Sequence, residues 1–186
     1  MGQIELRGAR VVLRAFRPEE IALVWEARKR AALMGQPLGP GTRSRLRRRL
    51  ARSGAFHDGW LDLAIEVEGR LVGEIDARCP PRSMPPGVFE LGITLFELAD
   101  RGKGYGSEAI ELLTGYLFED ADAERVQAST ALTNRAMRRV LEKLGFAEEG
   151  ILRGFMPGAD GRRDNYAMYA VTKADWVSAH AAGVPR

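Results

Sequence analysis

The residues best suited to chemistry lie in one short run, RGKGYGSEA, Arg101 to Ala109. Gly102, Gly104 and Gly106 allow backbone angles that other residues resist and place no side chain in the way of a ligand, so successive amide N–H groups can face an anion. A helix opening near Tyr105 adds the positive end of its dipole at Ser107 and its neighbours, and Arg101 and Lys103 add full charges. Two linked phosphates suit such a cradle. The same glycines are also compatible with a plain strand-to-helix turn. Other phosphate loops fit less well. A Walker A loop needs Gly, four residues, then Gly-Lys-Ser/Thr, which neither Gly102 nor Gly104 begins, and a dinucleotide fingerprint needs glycine or alanine where Ser107 stands. Cys79 is the sole cysteine and His57 and His180 are the two histidines, so no intrachain disulfide can form and no metal site is expected.

The elements that must position this run are read from periodicity. RVVLRAF, Arg10 to Phe16, alternates as a first strand, and Pro18 opens a helix over Glu19 to Leu33. Gly35 to Gly41, with Pro37 and Pro40, breaks it, and Thr42 caps an arginine-rich helix whose Leu46 and Leu50 pack inward. Leu61 to Val67 and Arg70 to Cys79 read as a hairpin turning at Glu68 and Gly69, followed by an irregular loop, Pro80 to Gly87, and a strand, Val88 to Phe96. A buried stripe of Ala109, Leu112, Leu113, Tyr116 and Leu117 predicts a helix over Tyr105 to Glu119. RVQAST then forms a strand, and Asn134 to Leu144 a helix stopped by Gly145. AEEGILRGF and DNYAMYAVT, joined by the turn GADGRR, are two further strands before a short helical tail, ADWVSAH. The order predicts one α/β domain over residues 1–186, with a mixed sheet and helices on its faces.

A chain of 186 residues, 45% hydrophobic and 28% charged, has the balance of a soluble globular protein. No apolar run approaches the roughly 20 residues that cross a bilayer, and the first residues lack a signal peptide's apolar centre, so a cytoplasmic protein without membrane contact is expected. The net charge of +3 is unevenly spread, because Arg43, Arg45, Arg47, Arg48, Arg49 and Arg52 crowd one stretch. A solvated helix face accounts for it, and RNA or ribosome binding is the second reading.

The spacing of Arg101, Gly104 and Gly106 resembles the acetyl-CoA loop of the GNAT superfamily of acetyltransferases, Arg/Gln, two residues, Gly, one residue, Gly/Ala. The resemblance extends over NRAMRRVLEKLGF, EGILRGF and GRRDNYAMYAV, covers roughly residues 5–176, and is similar to the RimJ/RimL-type branch of ribosomal-protein N-terminal acetyltransferases. It implies a mostly antiparallel sheet of about seven strands with about four helices and a splayed strand pair that holds the cosubstrate. It further implies that backbone groups of Thr94, Leu95 and Phe96 pair with the pantetheine arm. Residues Arg101 to Ser107 (Arg101, Gly102, Lys103, Gly104, Tyr105, Gly106, Ser107) would hold the pyrophosphate. Asn134 would point to the pantetheine, although it is equally placed to cap a helix. The family often has a carboxylate base on this strand, here Glu90, whose pKa burial would raise; a partly exposed strand glutamate paired with an arginine is the equal alternative. Where the family places a tyrosine, or this branch a serine, to protonate the leaving thiolate, this chain has Leu141 and Met137, which leaves Tyr166, Ser129 or water for that step. The acceptor is an amine, either a small molecule or a protein N-terminus. Asp58, Asp76 and Asp164 could attract a cationic acceptor, but as isolated surface carboxylates they read first as solvated or in ordinary ion pairs, and family habit allows a homodimer. The missing acid also keeps open a non-catalytic acetyl-CoA-binding module.

Overall fold

Leu61, Leu63, Ile65 and Val67 are buried and alternate with Asp62, Ala64 and Glu66 in β3 (Trp60–Val67), so the strand turns one row to each side of the sheet. The computed structural model describes residues 2–33, 42–158 and 161–181. Around β3 stand β1 (Leu6–Arg7), β2 (Val11–Arg14), β4 (Arg70–Arg78), β5 (Val88–Leu95), β6 (Arg125–Ala131), β7 (Ala147–Pro157) and β8 (Arg163–Thr172), in the order β1-β2-β3-β4-β5-β6-β8-β7. Every adjacent pair is antiparallel except β5 and β6. The family's mixed sheet is therefore present, with eight described strands where seven were expected. The additional one, Leu6–Arg7, is too short for alternation to show.

The described helices are α1 (Ile21–Leu33), α2 (Arg43–Leu50), α3 (Tyr105–Asp120), α4 (Arg135–Lys143) and α5 (Lys173–Ala181). One face of the sheet packs with α3 and α4 into the main core, where Leu63, Ile65, Leu113, Leu117 and Leu141 are nearly inaccessible. Burial of side chains of this size stabilises the fold by about 1.5–3 kcal/mol each. The opposite face gathers a smaller cluster, Phe16, Val24, Leu46, Leu50, Ala64 and Leu71, beneath α1 and α2. Thr42 caps α2 by accepting from the Arg45 N–H, and Leu46 and Leu50 are its buried residues. The helix expected from Glu19 begins instead as a 3-10 turn, Pro18–Glu20, because the Glu20 carboxylate turns back to the Arg17 N–H (2.8 Å) and to Arg14 (2.6 and 2.9 Å). The β3–β4 hairpin turns at Glu68 (φ 50°) and Gly69 (φ 77°), the positive-φ pair of a tight two-residue connection. The expected break at Gly35 to Gly41 lies outside the described residues, as do Ala159 and Asp160 of the β7–β8 turn.

One side chain ties the start of the sheet to α3. Glu108 Oε1 accepts from the backbone N–H groups of Arg10 (2.7 Å) and Val11 (3.0 Å), while Arg10 Nε donates to Oε2 (3.2 Å) and Arg10 Nη1 donates to the Lys103 carbonyl (2.7 Å). A side chain at Gly8 would collide with the Glu108 carboxylate. Burial works against the Glu108 charge, but the two backbone donors and the Arg10 guanidinium outweigh it and hold the pKa below the usual value. This stabilisation is present above the ordinary glutamate pKa of 4.5 and is lost as pH falls through the lower folded value. We expect Glu108→Ala to leave both N–H groups unsatisfied and to lower the unfolding free energy by about 2 kcal/mol at pH 7 in urea titrations. A change indistinguishable from zero would remove this clamp from the account.

Candidate active site

The β5–β6 ladder is three residues long. Val88, Phe89 and Glu90 pair in parallel with Arg125, Val126 and Gln127, and beyond Glu90↔Gln127 the strands part. β5 stays paired with β4 as far as Leu95↔Gly73, and β6 stays paired with β8 as far as Ala131↔Tyr166, so each strand is held from its far side. Between them lies a slot of about 260 Å³, lined among others by Asp76, Ile93, Thr94, Ser129 and Asn134. The Phe96 N–H donates to the Val72 carbonyl at 3.0 Å, on the β4 side. Backbone groups alternate sides along a strand, so those of Ile93 and Leu95 face the slot. Of the three residues assigned to the pantetheine arm, Leu95 thus has its backbone on the open edge, while Thr94 and Phe96 turn theirs to β4. Ile93 was missed, because only the observed register tells which alternate residues face outward.

At the mouth of the slot, Gly102 (φ 74°) and Gly104 (φ 87°) hold left-handed angles and bend the chain into α3, with Gly104 as its N-cap. Gly106 is already helical, and a Cβ there would meet only Ile93 and Leu95 at 3.8 and 3.9 Å. The Glu108 N–H bonds the Gly104 carbonyl at 3.0 Å, which leaves the amides of Tyr105, Gly106 and Ser107 at the helix end without intrahelical acceptors. The Lys103 side chain is exposed beside them, Arg101 Nη2 reaches the Leu95 carbonyl at 3.5 Å, and Arg10 lies 5.5 Å from the Tyr105 ring centre. The run expected to hold phosphates is thus a set of outward amides next to the open end of the slot. Asn134 caps α4 by accepting from the Met137 N–H (3.2 Å) and lines the slot as well. Met137, Leu141 and Ser129 line it too, whereas Tyr166 packs on Phe155 with ring centres 5.6 Å apart.

The sheet face beside the slot is charged; Glu74, Asp76 and Arg78 line the slot itself, and Glu90 stands next to them on β5. Register aligns Asp62, Asp76 and Gly92 in one row across β3, β4 and β5, and Trp60, Arg78 and Glu90 in the next, all on the face covered by α1 and α2. Glu90 accepts from Arg78 Nη2 at 2.8 Å, so its charge is matched by a cation. Arg78 also lies 3.4 Å from Asp76 Oδ2, without hydrogen-bond geometry. The Asp76 side chain is 21% exposed overall, yet Oδ2 is sealed from solvent and accepts no hydrogen bond. Burial drives its pKa up to about 6, opposed by Arg78 and Arg49 and reinforced by Asp62 and Glu74. Asp76 is therefore not the isolated surface carboxylate expected. Alternation placed it opposite the main core but could not reveal that α1 and α2 cover that face. A side chain at Gly92 would strike Asp76, so the bare glycine makes room for the carboxylate. Arg49 forms a short pair with Asp62, and Arg28 binds Glu74 with bonds of 2.9 and 2.7 Å.

A mixed sheet whose one parallel pair splays beside a glycine-rich helix start is the arrangement that the GNAT resemblance implied. The Acetyltransferase (GNAT) domain model matches residues 10–147, and the chain belongs to that family. It is 32% identical over 105 residues to "Probable N-acetyltransferase YjcK" of Bacillus subtilis (strain 168), covering 56% of this chain and 55% of that protein. The chain thus spans about half the length of the curated relatives it matches. In fold it is similar to the acetyltransferase (GNAT family) from Bacillus anthracis, with a TM-score of 0.74, 22% identity and coverage of 92% of this chain and 99% of that one. RimL, a ribosomal L7/L12 alpha-N-protein acetyltransferase in complex with coenzyme A, shares the fold with a TM-score of 0.74 at 14% identity, over 91% of this chain and 98% of that one.

Charge reversal at Lys103 separates the phosphate cradle from the slot. We expect Lys103→Glu to weaken coenzyme A binding about tenfold at low salt, with a smaller deficit as salt screens it, and to leave phosphate-free pantetheine unaffected. Calorimetric titration of both ligands checks this; equal losses for the two would take Lys103 out of the phosphate site.

Proposed function

We propose that the protein transfers an acetyl group from acetyl-CoA to a primary amine by direct attack within a ternary complex. The observation that carries this reading is the parting of β5 and β6 after Glu90↔Gln127, beside the outward amides of Tyr105 to Ser107. The residues present fit the cosubstrate: the slot offers an unpaired strand edge for an amide-bearing arm, and the helix start offers donors and cations for two phosphates. Acetyl-CoA supplies the activated acyl group. The Leu95 N–H faces the slot, where it can donate to a carbonyl oxygen as negative charge builds on it.

An ammonium has no lone pair for attack, so a proton must leave the acceptor first. We assign that proton to the cluster Asp76–Arg78–Glu90. Asp76 is the acceptor, because its pKa of about 6 keeps it ionised at neutral pH yet more basic than an ordinary aspartate. Glu90, the base expected from the sequence, holds Arg78 at 2.8 Å and so fixes the cation that limits the Asp76 shift. This basicity suits an N-terminal α-amine, whose pKa of roughly 7.7–8.0 lies about 2 units above Asp76, better than a lysine-like amine at about 10.4. It agrees with placement near the RimJ/RimL-type branch, which the fold-level likeness to RimL supports only distantly. Of the hydroxyls on the slot wall, those of Thr94, Ser129 and Thr130, we assign Ser129 to the departing thiolate.

Thiol release from acetyl-CoA, followed over N-terminal peptides and small amines, tests the reaction; coenzyme A binding without transfer to any amine would support a non-catalytic binding module instead. With an active acceptor, kcat/KM is expected to rise with pH through an ionisation near 6. Asp76→Asn is expected to abolish that limb and lower kcat by about 100-fold, within the usual range for a general base. Glu90→Gln is expected to lower turnover more than acetyl-CoA affinity. Loss of the limb in Glu90→Gln and its retention in Asp76→Asn would exchange the two roles.

A further inference from the structure

A second cavity of about 770 Å³ opens between α1, α2 and the Trp60 end of β3. Its wall carries Arg28, Arg45, Arg48, Arg49 and Arg52 against two aspartates. Arg28 is engaged by Glu74, Arg49 by Asp62, and Arg52 lies 3.7 Å from Asp58. Arg45 and Arg48 form no ion pair among the described residues, so the wall keeps positive charge that the described residues do not neutralise. The indole of Trp60 sits under the Arg49 and Arg78 guanidinium groups, at 4.9 and 5.6 Å from the ring centre, and Trp25 adds a second aromatic surface.

This cavity adjoins the slot. Arg49, on its wall, pairs with Asp62 and lies 3.8 Å from Asp76 Oδ1, and Arg78, stacked on Trp60, is the residue that holds Glu90. An acceptor whose amine reaches Asp76 therefore has its remainder over Arg49 and Trp60, in the direction of Arg45 and Arg48. We infer that the cavity selects acceptors carrying a carboxylate or phosphate a few bonds from the amine, and discriminates against polycationic amines. The inference rests on the acetyltransferase reading of the slot. Each unscreened like-charge encounter near a protein surface lowers affinity by about two- to fivefold, and each opposite-charge encounter raises it comparably, so two free arginines suffice for a clear preference.

The test uses the whole chain saturated with acetyl-CoA and two pairs of probes, each with one anionic and one cationic member. One pair is the peptides Ala-Asp-Glu-Glu and Ala-Lys-Arg-Lys; the other is aminoethyl phosphate and spermidine. The expected result is kcat/KM about tenfold or more in favour of the anionic member at low salt, shrinking as salt rises. In Arg45→Gln/Arg48→Gln that advantage is expected to fall to about threefold or less while coenzyme A affinity stays unchanged. If none of the four is turned over, quenching of tryptophan fluorescence ranks their binding and decides in the same way. An advantage confined to the peptide pair identifies a protein N-terminus as the anion's source; one confined to the small pair identifies a free metabolite. Equal or reversed preference, with coenzyme A still bound, overturns the anionic acceptor and leaves the slot reading intact. Absence of coenzyme A binding overturns the slot reading, and this inference with it.

Discussion

A backbone edge buried in a sheet must find hydrogen-bond partners, and β5 beyond Glu90 has them on one side only. Register to β4 holds Gly73↔Leu95 in place while the parallel ladder to β6 stops at Glu90↔Gln127. β6 cannot close the gap, because its other edge is committed to β8 over seven residue pairs, from Arg125↔Thr172 to Ala131↔Tyr166. Two strands fixed from their outer sides thus enclose a length of unpaired edge between them, and such an edge binds an extended polar chain in preference to remaining unsatisfied. The slot follows from the topology, and the rest of the site is arranged around it.

The glycine loop is placed by the same framework. Left-handed Gly102 and Gly104 turn the chain so that α3 begins at the wide end of the slot, and Glu108, one turn into the helix, locks that start to the N–H groups of Arg10 and Val11. A change at the clamp therefore reaches the phosphate cradle through the position of the helix. On the sheet face beneath α1 and α2, beside the slot, charge is distributed in pairs. Arg28 with Glu74, Arg49 with Asp62 and Arg78 with Glu90 are each matched, and Asp76 stands among them with one sealed oxygen and no hydrogen bond to it. Burial without a dedicated donor is what raises its pKa, so the chemical character of this face depends on α1 and α2 lying over it.

Much of the fold was legible because the signals were local. Alternation marked the β3–β4 hairpin, Thr42 and Asn134 marked helix starts, and Gly145 at φ 84° marked the end of α4. The glycine turn into α3 was legible for the same reason, since alternating glycines between a strand and a helix are a feature of neighbouring residues. What escaped the sequence depended on distant partners. Leu6–Arg7 is a strand only because β2 pairs with it; the exit of Ile93 from the ladder is set by how β5 registers on β4; and Asp76 differs from Asp58 because it sits on an interior strand beneath Arg49 of α2, whereas Asp58 is exposed in the turn before β3. Glu90 was visible as a strand carboxylate able to pair with an arginine, but that the partner is Arg78, twelve residues earlier in the chain, depends on the β4–β5 register.

The central claim is that an extended ligand occupies the open edge of β5. Amide hydrogen exchange at Ile93 and Leu95, followed by NMR with and without coenzyme A, tests it at the atoms concerned. The account predicts that exchange at both amides slows by about tenfold or more on saturation, while Phe96, already bonded to Val72, changes little. Coenzyme A that binds yet leaves Ile93 and Leu95 exchanging at their unliganded rates would contradict it.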